Sequence, residues 1–375
     1  MTSNGNAKRV PGGLDEFHWG SLDDDELLAT RWFTDSPRSL PNLQDTIPSG
    51  VIAWPVLEYQ LGPADEAVRC AHCVQHQRHR HGFAAGDKDG NHYLLGSHCG
   101  PEAFGADYRV RSNARQKAFR RYEILRSVEE VKTELPDVIE QLSNAAGHSL
   151  VRCVRRYRNT LARNAPHVFT ALKRLRPHGL TGQILLAYEV RERDTEAEAK
   201  RDAAYWAEVD RLAGLNNREH RKAIEALNSR TTLGAEIWRV EKIDLGPLSG
   251  AQWLLDPNDA SEVLSLTTSQ LRGLAAGLQT TKGKPDGELR KSLEMVKFHL
   301  DVARRAILLV NELIQFSSPE NLKKLEQWVN ARIGGRATCT HEGLAIAEKS
   351  HPAVLIEQCS NTSAISVDFL EQRRN

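Results

Sequence analysis

The chain has 375 residues, enough for roughly two or three domains. With 40% hydrophobic and 26% charged residues it has the composition of a globular protein, and no apolar run reaches the about 18 residues that a membrane span needs. The net charge of +1 conceals an uneven distribution: residues 1–69 hold 5 basic and 11 acidic side chains (−6), residues 109–176 hold 16 and 6 (+10), and residues 186–262 hold 11 and 16 (−5).

The first segment, residues 1–64, reads as loop-rich and acidic. Its polar start, Met1 to Gly13, lacks the apolar core of a secretory signal, so a cytoplasmic location is expected, with no membrane partner. Asp23-Asp24-Asp25-Glu26 reads as a solvated face or a helix N-terminus, and Val51-Ile52-Ala53-Trp54 as a short strand.

Residues 65–108 change character, becoming rich in His, Gly and Cys. Two extended runs, His79–Ala85 and Asn91–Leu95, flank Gly86-Asp87-Lys88-Asp89-Gly90. That is a hairpin signal, because glycine accepts the positive φ such a turn requires. Cys70-Ala71-His72-Cys73 precedes the hairpin and Gly96-Ser97-His98-Cys99-Gly100 follows it. A Cys-x-x-Cys turn can aim two thiolates at one metal, and a second turn at the far end of a hairpin supplies the rest of a tetrahedral shell. Cys70, Cys73 and Cys99 are therefore expected ligands of Zn2+. The fourth is less determined: a second Cys-x-x-Cys pair would begin at position 96, which is glycine. His98 is the first choice, with His92, His81 and His79 as alternatives. A redox role fits less well, since a redox Cys-x-x-Cys opens a helix whereas a His-rich stretch and a turn follow here.

Together with Leu94-Leu95-Gly96-Ser97-His98-Cys99 and Phe104-Gly105, these residues resemble zinc-ribbon modules of poorly characterised bacterial and phage proteins. The resemblance covers about 40 residues. It implies a metal-bound ribbon and says little about activity.

From residue 109 helices are expected to dominate. Ala114, Ala118, Tyr122, Leu125 and Val128 recur at helical spacing, as do Leu150, Val154, Tyr157 and Leu161. Thr195-x-x-Glu198 reads as a capping box for a helix to about Leu212, and Asn216-x-x-Glu219 opens one to about Leu227. Ala235–Ile243 reads as a strand, Trp253-Leu254-Leu255 as buried and of undetermined type, and Thr280–Gly287 as a loop. Leu289–Phe316 is the strongest helix. Ser318-Pro319 opens another that Gly334-Gly335 closes. The expected fold is mainly α with a small zinc-binding β-ribbon near the N-terminus. The chain divides into 1–64, the ribbon at 65–108, a basic helical region at 109–185, a helical region with short strands at 186–282 and a helical end at 283–375.

The basic region suggests a polyanion. At 100° per residue Arg152, Arg156 and Arg163 fall opposite the apolar side of their helix, and the preceding helix adds Arg109, Arg111, Arg115, Lys117, Arg120 and Arg121. Guanidinium forks match phosphate oxygens, so these nine residues are the expected nucleic-acid contacts, DNA or RNA. Pairing with the chain's own acidic segments is the competing reading.

No phosphate-binding loop, nucleophile elbow or His-Glu-x-x-His helix occurs, and no residue set reads as catalytic. Cys339, His341, His351 and Cys359 form a second Cys/His set whose spacing fits no common zinc module. The sequence thus leads to a non-enzymatic nucleic-acid-binding protein or complex subunit. The alternatives are a protein-interaction scaffold whose zinc is purely structural and a nuclease whose site carries no recognisable motif.

Overall fold

The computed structural model describes residues 19–73, 75, 77–175, 184–256, 258–348, 351–359 and 362–371, without the side chains of Leu255 and Glu371. The fold is mainly α. The chain forms two compact units, residues 1–140 with 269–299 and residues 141–268 with 300–375. This grouping cuts across the five consecutive segments read from the sequence.

The first unit opens with helix α1 (Asp24–Ala29), where the acidic run does specific work. Asp23 is the N-cap, accepting from Glu26 N at 2.8 Å while the Glu26 carboxylate accepts from Asp23 N. Such a reciprocal pair satisfies two amides that the first helical turn leaves open. The strands β1 (Leu43–Gln44), β2 (Ala53–Gln60), β3 (Val68–Arg69), β4 (Arg78–His79), β5 (His81–Asp87) and β6 (His92–Gly96) follow. Four of them form a sheet in the order β1-β6-β5-β2; β3 and β4 form a separate two-stranded ladder.

The expected hairpin is β5–β6, in antiparallel register with Gly82 opposite Gly96 and Gly86 opposite His92. Asp87 holds its turn: the carboxylate accepts from Asp89 N, Asn91 N, Asn91 Nδ2 and Tyr93 Oη, each at 2.9 Å. Gly90 supplies a φ of 81°. The loop-rich reading of residues up to 64 gives way, because β2 pairs along β5 from Ala53↔Asp87 to Gln60↔His81 and is buried over most of its length. Complete burial removes the alternation that reveals a strand in sequence, and the pairing partner lies more than twenty residues away.

The two faces of this sheet carry different cores. Tyr93 and Leu95 of β6 pack with Ala53, Cys70, Ala71, Ala85 and Tyr108; Leu94 packs with Trp54, Leu57, Tyr59, Val68 and Ala84. Helix α2 (Cys99–Ala146) starts directly after β6, ten residues earlier than the sequence suggested. Gly105, at φ 72° and ψ −148°, interrupts its first turns. Gly100 is required for packing, since a Cβ there would run into the Tyr108 ring.

The second unit contains α3 (Ser149–Asn164), α4 (Pro166–Arg174), β7 (Ile184–Arg193), α5 (Thr195–Leu212), α6 (Asn217–Arg230), β8 (Trp238–Leu248) and α7 (Gln252–Leu255). Helices α8 (Ala260–Leu278) and α9 (Asp286–Phe316) follow, each with residues assigned to both units. After them come α10 (Pro319–Arg332), the antiparallel strands β9 (Arg336–Cys339), β10 (Gly343–Ala347) and β11 (Val354–Glu357), and a short α11 (Asp368–Glu371).

Helix α3 buries Leu150, Val151, Val154, Tyr157 and Leu161, the face expected from spacing. Ala165 cannot cap α4, and the buried Glu348 substitutes: its carboxylate accepts from Val168 N at 2.9 Å, where the helix dipole favours a negative charge. Helix α5 is capped by Asp194 rather than Thr195; Glu198 instead binds Arg193 and accepts from Ile237 N. The strand expected at Ala235–Ile243 begins at Trp238 and extends to Leu248, pairing with the unforeseen β7. Asn216 and Ser318 cap α6 and α10 as read from sequence.

Candidate metal centre and cationic residues

Two backbone turns bring the sulfurs together. The β3–β4 ladder pairs Val68 with His79 and Arg69 with Arg78, and Cys70 N donates to Gln77 O at 3.0 Å. This places the Cys-x-x-Cys turn at the mouth of a tight loop. Ala71 N donates to Leu94 O at 2.8 Å, tying the turn to β6, whose last residue, Gly96, lies three before Cys99 at the start of α2. The ligand atoms of Cys70, Cys73 and Cys99 all lie within 4.8 Å of one another, with 3.4 Å between the sulfurs of Cys73 and Cys99. All three cysteines are free thiols. A group of this geometry can hold a metal ion.

The local electrostatics favour an anion at one sulfur. Burial works against ionising Cys70, yet backbone N–H groups of Gly96, Cys73 and His72 point at its sulfur and bring its pKa below the ordinary thiol value. Cys99 is pushed up to about 12, by burial first and then by the neighbouring thiols. Cys73 is lowered by its contact with Cys99 but raised more strongly by Cys70, burial and the Cys70 charge. Three thiolates at this spacing repel one another, and a bound cation is what would let all three ionise.

The histidines divide sharply. His98 is exposed and, like the other described histidines, lies outside the sulfur group. It neighbours Cys99 in one turn, and with the Cys99 side chain directed inward the adjacent side chain faces solvent. His81 is directed at Glu58, 3.1 Å away. His92 pairs with Gly86 at the end of β6 far from Cys99, and its Nδ1 donates to Pro41 O at 2.8 Å. His79 is half-buried, its pKa lowered by burial and by His81, and its ring lies beside Gly96. The second Cys/His set is not gathered into any metal-holding group among the described residues.

The nine expected nucleic-acid contacts also separate. Arg115 is 4% exposed and structural: it donates to Trp32 O at 3.1 Å and Val56 O at 3.4 Å, and pairs with Glu58 at 3.7 Å. Its guanidinium is also 5.4–5.7 Å from the ring centroids of Trp19, Trp32 and Phe83. Arg121 binds Asp24 at 2.8 Å and Asp286 at 2.9 Å, so the acidic N-terminal run captures one of the arginines, as the competing reading held. Arg111 lies 4.6 Å over the Trp54 ring, and Arg156 pairs with Glu357 at 2.7 Å. Arg109, Lys117, Arg120, Arg152 and Arg163 are exposed and have no carboxylate partner among the described residues. The first three belong to one unit and the last two to the other.

Sequence reasoning passed over Tyr59 and took the buried Arg115 for a surface contact. Tyr59, fully buried, has its hydroxyl 2.9 Å from His79 Nδ1 and donates to Leu95 O at 3.2 Å. No local pattern singles it out. Arg115 carried a usable signal: it shares the helical stripe of Ala118 and Tyr122 at i+3 and i+7.

Among the described helices, none is long and apolar enough to cross a membrane. Comparison with protein-family models, with curated proteins and with solved structures finds no match to this chain.

Proposed function

We propose that the chain is a nucleic-acid-binding protein, or the nucleic-acid-contacting subunit of a complex, built around a structural zinc site in a β-ribbon. Soft thiolates in a tetrahedral arrangement favour Zn2+ over harder divalent cations. The metal would fix the junction of β6 and α2, and so the aim of the helix that follows. The reading is carried by the cations of that helix: Arg109, Lys117 and Arg120 fall within about 80° of one another at 100° per residue, all exposed and without internal partners among the described residues. Side chains that neutralise no carboxylate among the described residues are available to phosphate.

Titration of labelled single- and double-stranded DNA and RNA across a salt series tests this. Each duplex phosphate neutralised contributes about −0.9 to the slope of log K against log salt. The triple variant R109A/K117A/R120A should therefore flatten the duplex slope by about 2.7. No binding to any of these nucleic acids at low salt overturns the proposal.

A second reading, a protein-interaction scaffold, is favoured by one specific observation. Trp206, Trp238 and Val240 are each more than half exposed, apolar surface that phosphate contacts would not use. A defined protein partner retained after nuclease treatment, and lost on W238A substitution, would favour this reading over the first.

A further inference from the structure

We propose that His79, through Nε2, is the fourth ligand that closes the Cys70–Cys73–Cys99 group into a Cys3His site with no coordination position left for water. The assignment rests on the zinc reading above and makes the site structural rather than catalytic.

Three independent features converge on this ring. The first is a buried nitrogen without a partner. His79 Nε2 is enclosed by protein and makes no hydrogen bond, a rare condition for a buried polar atom. The tautomer follows from the other side of the ring. Tyr59 has one hydroxyl proton for two contacts, Leu95 O at 3.2 Å and His79 Nδ1 at 2.9 Å; given to Leu95 O, which can only accept, it leaves the phenol oxygen to accept from Nδ1–H, and both contacts are then satisfied. Nε2 is then a bare lone pair, the form that binds a metal. A ligating histidine characteristically donates its other N–H to an oriented oxygen, and here that oxygen is Tyr59 Oη.

The second feature is position. A paired Cys-x-x-Cys in the second turn would place its first thiol at residue 96, which is glycine. A Cβ built on Gly96 would sit 3.6 Å from Cys99 Sγ and 3.7 Å from His79 Cδ2, the carbon bonded to Nε2. The imidazole thus lies against the place where that thiol is missing, on the same side as a sulfur of the group. Nε2 stands outside the 4.8 Å group formed by the three sulfurs, so ligation draws the ring and the sulfurs inward.

The third is backbone support. His79 pairs with Val68 in a two-stranded ladder whose next closing bond is Cys70 N–H to Gln77 O. The ladder therefore fixes the imidazole and the first cysteine relative to each other without help from the metal. The remaining histidines described near the site lack this combination: His98 is exposed, His81 is held by Glu58, His72 faces Glu102 at 4.0 Å, and His92, whose Nε2 is also buried without a partner, sits at the opposite end of β6 from Gly96.

The test uses the full chain loaded with Zn2+ or Co2+. X-ray absorption of the zinc form should fit three sulfurs at about 2.3 Å and one nitrogen at about 2.0–2.1 Å. H79A should lower zinc affinity by more than about 100-fold, beyond the loss expected from a supporting group, and move the Co2+ visible spectrum toward a water-bearing site. H79C should restore tight binding with an added thiolate-to-cobalt absorption. H98A should change neither. An unchanged affinity and spectrum in H79A, or a spectrum altered by H98A instead, overturns the assignment of His79 while leaving zinc binding intact. A wild-type chain that takes up neither metal overturns the zinc reading itself. The wild-type absorption data stand even if H79A does not fold.

Discussion

The phenol of Tyr59 and the imidazole of His79 stack with ring centroids 5.8 Å apart, joined by a 2.9 Å contact between Oη and Nδ1. Burial raises the pKa of the phenol well above its ordinary value, so it stays protonated and keeps donating to Leu95 O. Gly82 makes room for this arrangement: a Cβ there would press on Tyr59 Oη and on Leu95 O. One strand pair therefore sets the orientation of a ring that belongs to a different ladder.

Tyr59→Phe removes only the oxygen and leaves the packed ring in place. The Nδ1 proton and the Leu95 carbonyl would each lose a partner. Zinc affinity, read by chelator competition, should fall about tenfold, the lower range for an orienting group of a ligand. A loss that Tyr59→Phe does not produce would mean that the hydroxyl does not position the ligand.

Removing the metal should loosen a defined set of amides. His72 N, Cys73 N and Gly96 N all point at Cys70 Sγ. With the metal bound that sulfur is a fixed anion and the amides are held by charge-assisted bonds. After chelation under reducing conditions, hydrogen exchange at these three positions should accelerate at least tenfold. Exchange in the β7–β8 ribbon of the other unit should not change. Uniform acceleration over both units would show instead that the metal governs global stability.

Asp87 supplies a pH dependence. Burial acts to raise its pKa, but bonds from Asn91, Tyr93 and Asp89 outweigh this and hold it below the usual carboxylate value. A depressed folded pKa stabilises the fold above the unfolded value of about 3.9, and that contribution is lost as pH falls through the lower, folded value. Asp87→Ala strands two backbone amides and the buried Tyr93 hydroxyl, costing about 3 kcal/mol at neutral pH by the usual penalty for unpaired groups. In urea unfolding the gap between wild type and variant should stay constant from about pH 7 to pH 5 and narrow below about pH 4. A gap that widens on acidification would contradict the sign of this shift.

The parts of the molecule legible in sequence are those decided locally. The β5–β6 turn is specified by Asp87 and Gly90 within four residues. The helix starts at Asn216 and Ser318 are written by a capping side chain and its amide three residues on. The two cysteines of a Cys-x-x-Cys turn announce themselves by spacing. What was illegible depends on pairing at a distance. Nothing near Pro55 reveals that β2 lies against β5, and a two-residue strand such as β4 has no pattern by which His79 could be preferred over His98. Charge misled in the same way. A count of arginines cannot separate Arg120, which faces solvent, from Arg121, whose partners Asp24 and Asp286 lie about 97 and 165 residues away.

Arg115 and Arg120 form the sharpest contrast for experiment, since they are separated by little more than one helical turn of α2. Arg115 serves two carbonyls, Glu58 and three aromatic rings in a buried setting. Deleting it strands two backbone carbonyls, at about 1–3 kcal/mol for each buried unpaired group, and leaves the partly exposed Glu58 with His81 alone. Arg115→Met should therefore lower the unfolding midpoint of the metal-loaded chain strongly. At temperatures where it remains folded, its nucleic-acid affinity should match wild type, because the side chain never reaches solvent. Arg120→Met should do the reverse, with stability changed by less than about 0.5 kcal/mol and nucleic-acid affinity lowered and less salt-dependent. Equal stability losses in the two variants would contradict the burial assigned to Arg115. Equal binding losses, measured on folded protein, would contradict the role assigned to the exposed stripe.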